Sequence, residues 1–213
     1  MKTVHAYAAE TSHSPLKPIE YTLPNLGPEQ VDIRVEYCGI CHSDLSMLRN
    51  EWGMSAYPLV PGHAIVGRVE EVGSMVKSVK PGDRVGVGWF SGSCMTCPQC
   101  LGGDQNLCAK NEGVIVGRHG GFADLVRSHW IWATPLPEAL PGESAGPLFC
   151  GGITVFNPIM EFDVRPTDRV GVIGIGGLGH LAVQFLNKWG CEVTAFSSNP
   201  DKSAELAKLG AHR

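Results

Sequence analysis

The sequence is short of charge and of long apolar runs. Charged residues make up 18% of its 213 positions, and 17 Lys and Arg stand against 21 Asp and Glu, for a formal net charge of −4. With no basic excess there is little to neutralise phosphates, which argues against a nucleic-acid partner. No run is long enough to span a bilayer, so no membrane partner is expected. The first ten residues lack the basic and then apolar layout of a secretory signal, and the chain reads as cytoplasmic. Long helical periodicity is also missing from the first 125 residues, so this part is expected to be β-rich with loops. The 43% hydrophobic content is ordinary for a globular protein.

Against these absences stand 8 cysteines and 27 glycines. In a reducing compartment clustered cysteines mean metal rather than disulfides. Alternation predicts a strand at 31–37, and further strands are expected at 64–72, 84–87, 113–116 and 122–126. Pro61-Gly62 and Pro81-Gly82-Asp83 are turn chemistry between them. Residues 142–149 and 154–160 read as helical. From residue 169 the order becomes strand (170–173), glycine turn, helix (180–189), strand (191–196) and helix (201–209). That makes a mixed β and α/β chain with a domain at 1–150 and a second at 151–213. A doubly wound nucleotide fold needs two β-α-β-α-β halves, and less than one is present, so the second domain is expected to be incomplete.

Six cysteines fall into two sets. Cys94, Cys97, Cys100 and Cys108 place four thiols within fifteen residues. Four soft donors close a tetrahedron around zinc, the pattern of a structural site. A run of free thiols is the bland alternative, and an oxidation liability. Cys41, His63 and Cys150 lie far apart, and singly each reads as a packed core residue. Together, two thiolates and an imidazole match a site with three protein ligands and an open position for chemistry.

Cys41-His42-Ser43-Asp44, Pro61-Gly62-His63, the four-cysteine loop, Cys150-Gly151-Gly152-Ile153-Thr154 and the turn Gly174-Ile175-Gly176-Gly177-Leu178-Gly179 occur in this order. The chain thereby resembles the zinc-containing medium-chain alcohol dehydrogenases. Within them it is most similar to the cinnamyl-alcohol-dehydrogenase-like branch, of the bacterial NADPH-dependent aldehyde reductase type. The resemblance implies a GroES-like catalytic domain, the first part of a Rossmann domain, and an active site in the cleft between them. It implies that Cys41, His63 and Cys150 bind a catalytic zinc that polarises an aldehyde carbonyl or stabilises an alkoxide. Hydride then passes directly between substrate and nicotinamide. It gives Ser43 the start of a proton relay and Asp44 the orientation of the ligands, although a turn-capping aspartate is the plainer reading of Asp44. Where some relatives carry a relay histidine, Ser46 stands, so the relay would run through serine or water. His42 and Thr154 are implied as cofactor contacts. Ala64 replaces a glutamate usual in the family beside the metal. The family's homodimer edge usually lies in a C-terminal part that this chain is expected to lack.

The glycine turn follows an apolar strand and opens a helix, the context in which Gly174, Gly176, Gly177, Leu178 and Gly179 would cradle a pyrophosphate. At the end of the second strand, where NAD enzymes place a carboxylate, stand Ser197, Ser198 and Asn199, with Lys202 beyond. Hydroxyls, an amide and a lysine suit a 2′-phosphate, so NADP(H) is favoured over NAD(H). Trp52, Tyr57 and Trp89 are candidate walls for an aromatic or medium-length aldehyde, or plain core. The competing reading is a zinc-binding chain without turnover.

Overall fold

The computed structural model describes residues 1–213, which form two compact units, Met1–Cys150 and Gly151–Arg213. In the first, β1 (Lys2–Ala8) and β2 (Lys17–Leu23) pair antiparallel, burying Val4, Ala6 and Ala8 at alternate positions. Then come β3 (Gln30–Gly39), α1 (His42–Leu48), β4 (Ala64–Val72), β5 (Arg84–Val87) and β6 (Phe90–Gly92). The unit continues with α2 (Pro98–Gly102), β7 (Glu112–Gly113), β8 (Leu125–His129), β9 (Thr134–Pro135) and α3 (Gly142–Ala145). Five strands make one antiparallel sheet in the order β8-β3-β4-β5-β9. Val31, Ile33, Met47, Ile65, Val85 and Ile115 pack into its core.

A buried cross-strand ion pair fixes the register of β3 against β8. Asp32 stands opposite Arg127, and the guanidinium donates to both carboxylate oxygens at 2.7 and 3.1 Å. Neither side chain is more than 5% exposed, and the Arg127 guanidinium also donates to the Pro24 carbonyl. Slippage by one residue would separate these charges inside the protein. The pairing of β3 with β4 ends with Gly39 opposite Ala64. The chain therefore leaves β3 two residues before Cys41 and enters β4 directly after His63, at the same end of the sheet. A short 3₁₀ turn, Gly146–Phe149, packs against that end and delivers Cys150.

In the second unit α4 (Gly151–Glu161) precedes β10 (Arg169–Ile173), α5 (Gly179–Trp189), β11 (Glu192–Phe196) and α6 (Ser203–Leu209). β10 and β11 are parallel, with Val170 opposite Val193, and α5 is the crossover. Ile159, Val172, Val183, Leu186 and Val193 form its core. The chain is thus the expected mixture of a β-rich unit and an α/β unit.

Several element boundaries differ from those the sequence predicts. The strand expected at 113–116 shrinks to β7, because Val114 and Ile115 go into the core instead of along a partner. The strand expected at 122–126 begins at Leu125. Residues 120–122 instead give their N–H groups to the carbonyls of Val60, Gly62 and Pro61 at 2.7–2.9 Å, bracing the loop that carries His63. Helices α1 and α2, of seven and five residues, are too short to show a period. The helix expected at 201–209 opens as a 3₁₀ turn over Pro200–Lys202.

Replacing Asp32 by Ala leaves Arg127 buried without its partner. The expected cost is about 3–5 kcal/mol, read as a lowered urea midpoint, and a stability within about 1 kcal/mol of the parent would refute this role for the pair.

Candidate metal centres and nucleotide turn

Cys94, Cys97, Cys100 and Cys108 gather because the backbone folds tightly around them. Pro98 opens α2, Leu101 N–H donates to the Cys97 carbonyl, and Gly103 ends the helix in the left-handed region at φ +97°. All four sulfurs lie within 4.8 Å of one another, with Cys94 at 3.9 Å from Cys100 and 3.5 Å from Cys108. Sulfurs at the corners of a tetrahedron with Zn–S bonds of about 2.3 Å stand about 3.8 Å apart. The group fits that metal. Backbone N–H groups of Thr96 and Cys97 hold the Cys94 thiol down at about 6. For Cys97 the Cys100 N–H acts downward, but burial and the neighbouring thiols outweigh it and push that thiol up to about 11. Several thiolates side by side are unfavourable without a cation between them.

Cys41, His63 and Cys150 form a second group within 4.8 Å. Cys41 and Cys150 sulfurs are 3.6 Å apart, and His63 Nε2 lies 3.2 Å from the Cys150 sulfur. Asp44 holds two of the three. One carboxylate oxygen accepts from the Cys41 N–H at 2.9 Å; the other accepts from the Gly62 N–H and from His63 Nδ1, both at 2.8 Å. An ionised carboxylate only accepts, so Nδ1 carries a proton and Nε2 is the nitrogen that faces the thiols. Burial acts to lower the His63 pKa, but Asp44 and Cys150 outweigh it and raise it to about 10. The same acceptors that hold a proton there favour a dication. Burial acts to raise the Cys41 thiol, and the N–H and hydroxyl of Ser43, with Cys150 and His63, bring it below its ordinary value.

The remaining predicted residues divide. Ser43 reaches Cys41, whereas Ser46 is buried and donates its hydroxyl to Glu51 at 2.7 Å. Ala64 is buried beside Gly39, so no carboxylate from this position stands at the three-donor group. Trp89 packs edge-on against His63 at 5.1 Å and lies 5.9 Å from Trp52. Tyr57 instead ties its hydroxyl to the Leu48 carbonyl at 2.7 Å. Glu112 and Arg118, which line a cavity together with Trp89, escaped sequence reasoning because they belong to no motif.

In the second unit, Gly174 takes φ +86°, and a Cβ on Gly179 would sit 2.1 Å from the Gly174 carbonyl oxygen. Only glycine permits that turn to close onto α5. Gly176 and Gly177 face open space, Leu178 is half exposed, and Thr154 is exposed on α4. The Ser197 hydroxyl accepts from the Asn199 N–H, and Lys202 reaches back to donate to the Ile175 carbonyl at 2.9 Å. The end of β11 and the glycine turn are therefore neighbours. His42 opens α1 in the first unit.

With this geometry in view, residues 27–138 match the family described as the alcohol dehydrogenase GroES-like domain, more than half of the chain. The chain belongs to that family. Among its relatives, aldehyde reductase AdhA of Synechocystis is 57% identical over 98% of this chain and 62% of its own length. Probable cinnamyl alcohol dehydrogenase 2 of Picea abies is 45% identical over 99% of this chain and 61% of its own. Among solved structures, CAD from Helicobacter pylori complexed with NADP(H) superposes with a TM-score of 0.93 at 32% identity, covering 98% of this chain and 63% of that one. The chain thus spans about three fifths of the length of these alcohol dehydrogenase relatives.

Replacing Asp44 by Asn turns one of its two accepting oxygens into a donor, so Cys41 and His63 can no longer both be held. Zinc affinity at the three-donor group should fall about 10–100-fold, while the four-thiol loop keeps its metal. Competition with a chromophoric chelator reads both sites; equal weakening of the two would contradict this division.

Proposed function

We propose that this chain acts as a zinc-dependent oxidoreductase that interconverts aldehydes and primary alcohols with NADP(H). The observation that carries the reading is the coexistence of two donor groups of different closure. Four thiols complete a coordination shell, whereas Cys41, His63 and Cys150 supply three donors and leave a position for an oxygen. Zinc at the three-donor group supplies Lewis acidity toward a carbonyl or alcohol oxygen, and NADP(H) supplies the hydride chemistry.

The protein's own groups then take definite parts. Asp44 holds Cys41 and His63 in place. Ser43, whose hydroxyl reaches Cys41, is placed to pass a proton, because a hydroxyl both donates and accepts. Ser46 is a weaker candidate for the relay, since its hydrogen is already given to Glu51. Trp89 lines a cavity of about 380 Å³ that suits the body of an aromatic aldehyde, and Trp52 stands 5.9 Å from Trp89. For the cofactor, Gly174 to Gly179 offer close backbone approach to a pyrophosphate at the start of α5. Ser197, Ser198, Asn199 and Lys202 offer donors and a positive charge to a 2′-phosphate, with no carboxylate at the end of β11 to repel it. The NADP(H) named for the Helicobacter pylori structure supports the same choice.

Purified chain supplied with zinc and cinnamaldehyde should oxidise NADPH with a kcat/KM about 10–100-fold above that for NADH, the worth of a phosphate held by charge-assisted bonds. Equal use of both would remove the cofactor assignment. No turnover by a folded, zinc-loaded chain would favour a non-catalytic zinc-binding role.

Cys150→Ser should abolish turnover and lower bound zinc from two to one per chain. Loss of both metals together would argue against two independent sites.

A further inference from the structure

The short turn Gly146–Phe149 reaches the end of the sheet at backbone contact, and glycines permit the approach at both ends of the turn. At its first residue, a Cβ on Gly146 would stand 2.9 Å from the Ala64 carbonyl oxygen and 3.2 Å from the Gly39 nitrogen. At its last residue, Phe149 lies in a notch on β5. A Cβ on Gly86 would overlap the Phe149 ring, meeting Cε2 and Cζ and standing 2.7 Å from Cδ2. One on Gly88 would stand 2.5 Å from the Phe149 carbonyl oxygen. A glycine within a strand marks a place where another part of the chain comes close, and glycines two residues apart bare the same side of the strand. The carbonyl against Gly88 belongs to the peptide that joins Phe149 to Cys150, so the notch holds the unit from which Cys150 departs. The Cys150 N–H turns back to the Pro147 carbonyl at 3.4 Å and closes the turn. β5 also holds the chain that leads into it: the Arg84 guanidinium donates to the carbonyls of Pro137 and Leu140.

We propose that Gly86 and Gly88 are positioning residues: the notch they leave for Phe149 sets how far the Cys150 sulfur stands from Cys41 and His63. The proposal rests on reading the three-donor group as a metal centre. Asp44 takes its hydrogen bonds from Cys41, Gly62 and His63, so the third donor, Cys150, depends on its own backbone for its place. The pairing of β4 with β5 carries the alignment across, because Val66 stands opposite Gly86 and β4 begins directly after His63. Trp89, next after Gly88, packs against the His63 ring at 5.1 Å. One stretch of chain thus abuts two of the three donors.

Cobalt(II) in place of zinc reads this geometry without turnover, because the parent spectrum minus that of Cys150→Ser isolates the bands of the three-donor group. Gly86→Ala and Gly88→Ala should each lower metal affinity there about 10–100-fold, the worth of an outer residue that orients a ligand. They should also alter the cobalt bands at saturation, while the four-thiol loop keeps its affinity. A substitution that only destabilised the β-rich unit would leave folded, saturated molecules with the parent bands. Phe149→Ala adds no atoms to β5; it should lower affinity about tenfold, and it decides the matter if the glycine variants do not fold. In a Phe149→Ala background, Gly86→Ala should cost nothing further, because the ring it meets is gone. Gly88→Ala, which meets the carbonyl, should keep its full effect in that background. Parent bands and affinity in the folded variants, additive losses in the Gly86→Ala/Phe149→Ala double variant, or equal weakening of both metal groups would each overturn the proposal. A parent with no cobalt bands that Cys150→Ser removes would overturn the reading of the group as a metal centre, and the proposal with it.

Discussion

One carboxylate holds the three-donor group together. Asp44 is buried, and its two oxygens take three hydrogen bonds, from Cys41, Gly62 and His63. It is the first-turn acid of α1, so the helix N-terminus and two of the three donors share one side chain. The sheet does the coarse work by ending β3 and β4 side by side, and Asp44 sets the fine geometry. The plain reading of this residue as a turn cap and the functional reading as an orienter describe the same bonds. A buried group satisfied three times leaves little freedom to the donors it orients.

The cysteine loop and the sheet end solve the same problem by different means. In the loop, tight turns and α2 bring four donors together locally. At the sheet end the donors arrive from three elements, fixed by strand register and by a 3₁₀ turn packed against β4 and β5. Register matters for this reason. The Asp32–Arg127 pair, remote from any donor, keeps β3 aligned, and the end of β3 is where Cys41 departs.

Much of this was legible in the sequence, and the exceptions have physical causes. β4 and β5 were readable to the residue because β-branched runs sit between proline-glycine turns, and the strand-turn-helix of the second unit announced itself through its glycines. The run at 113–116 misled, since apolar residues bound for the core look like a strand from sequence alone. β1 and β2 carry weak signals: Ala and Tyr alternate in β1, but its partner strand contains Lys17, Glu20, Thr22 and a proline. The donor residues were identified by motif order. Their mutual distances, the partner of Ser46 and the lining of the cavity beside Trp89 depend on tertiary placement that no local pattern encodes.

The separations of the donors along the chain also imply an order of assembly. The cysteine loop closes over fourteen residues between its first and last sulfur, whereas Cys41 and Cys150 are 109 apart. Closing a short loop costs less entropy, and its metal supplies the driving force locally. The four-thiol loop is thus competent to take zinc as soon as it has been synthesised. The other group does not exist until β3, β4 and the turn before Cys150 have found one another. A metal at that group would therefore be a signature of a finished β unit, whereas one at the four-thiol loop would not.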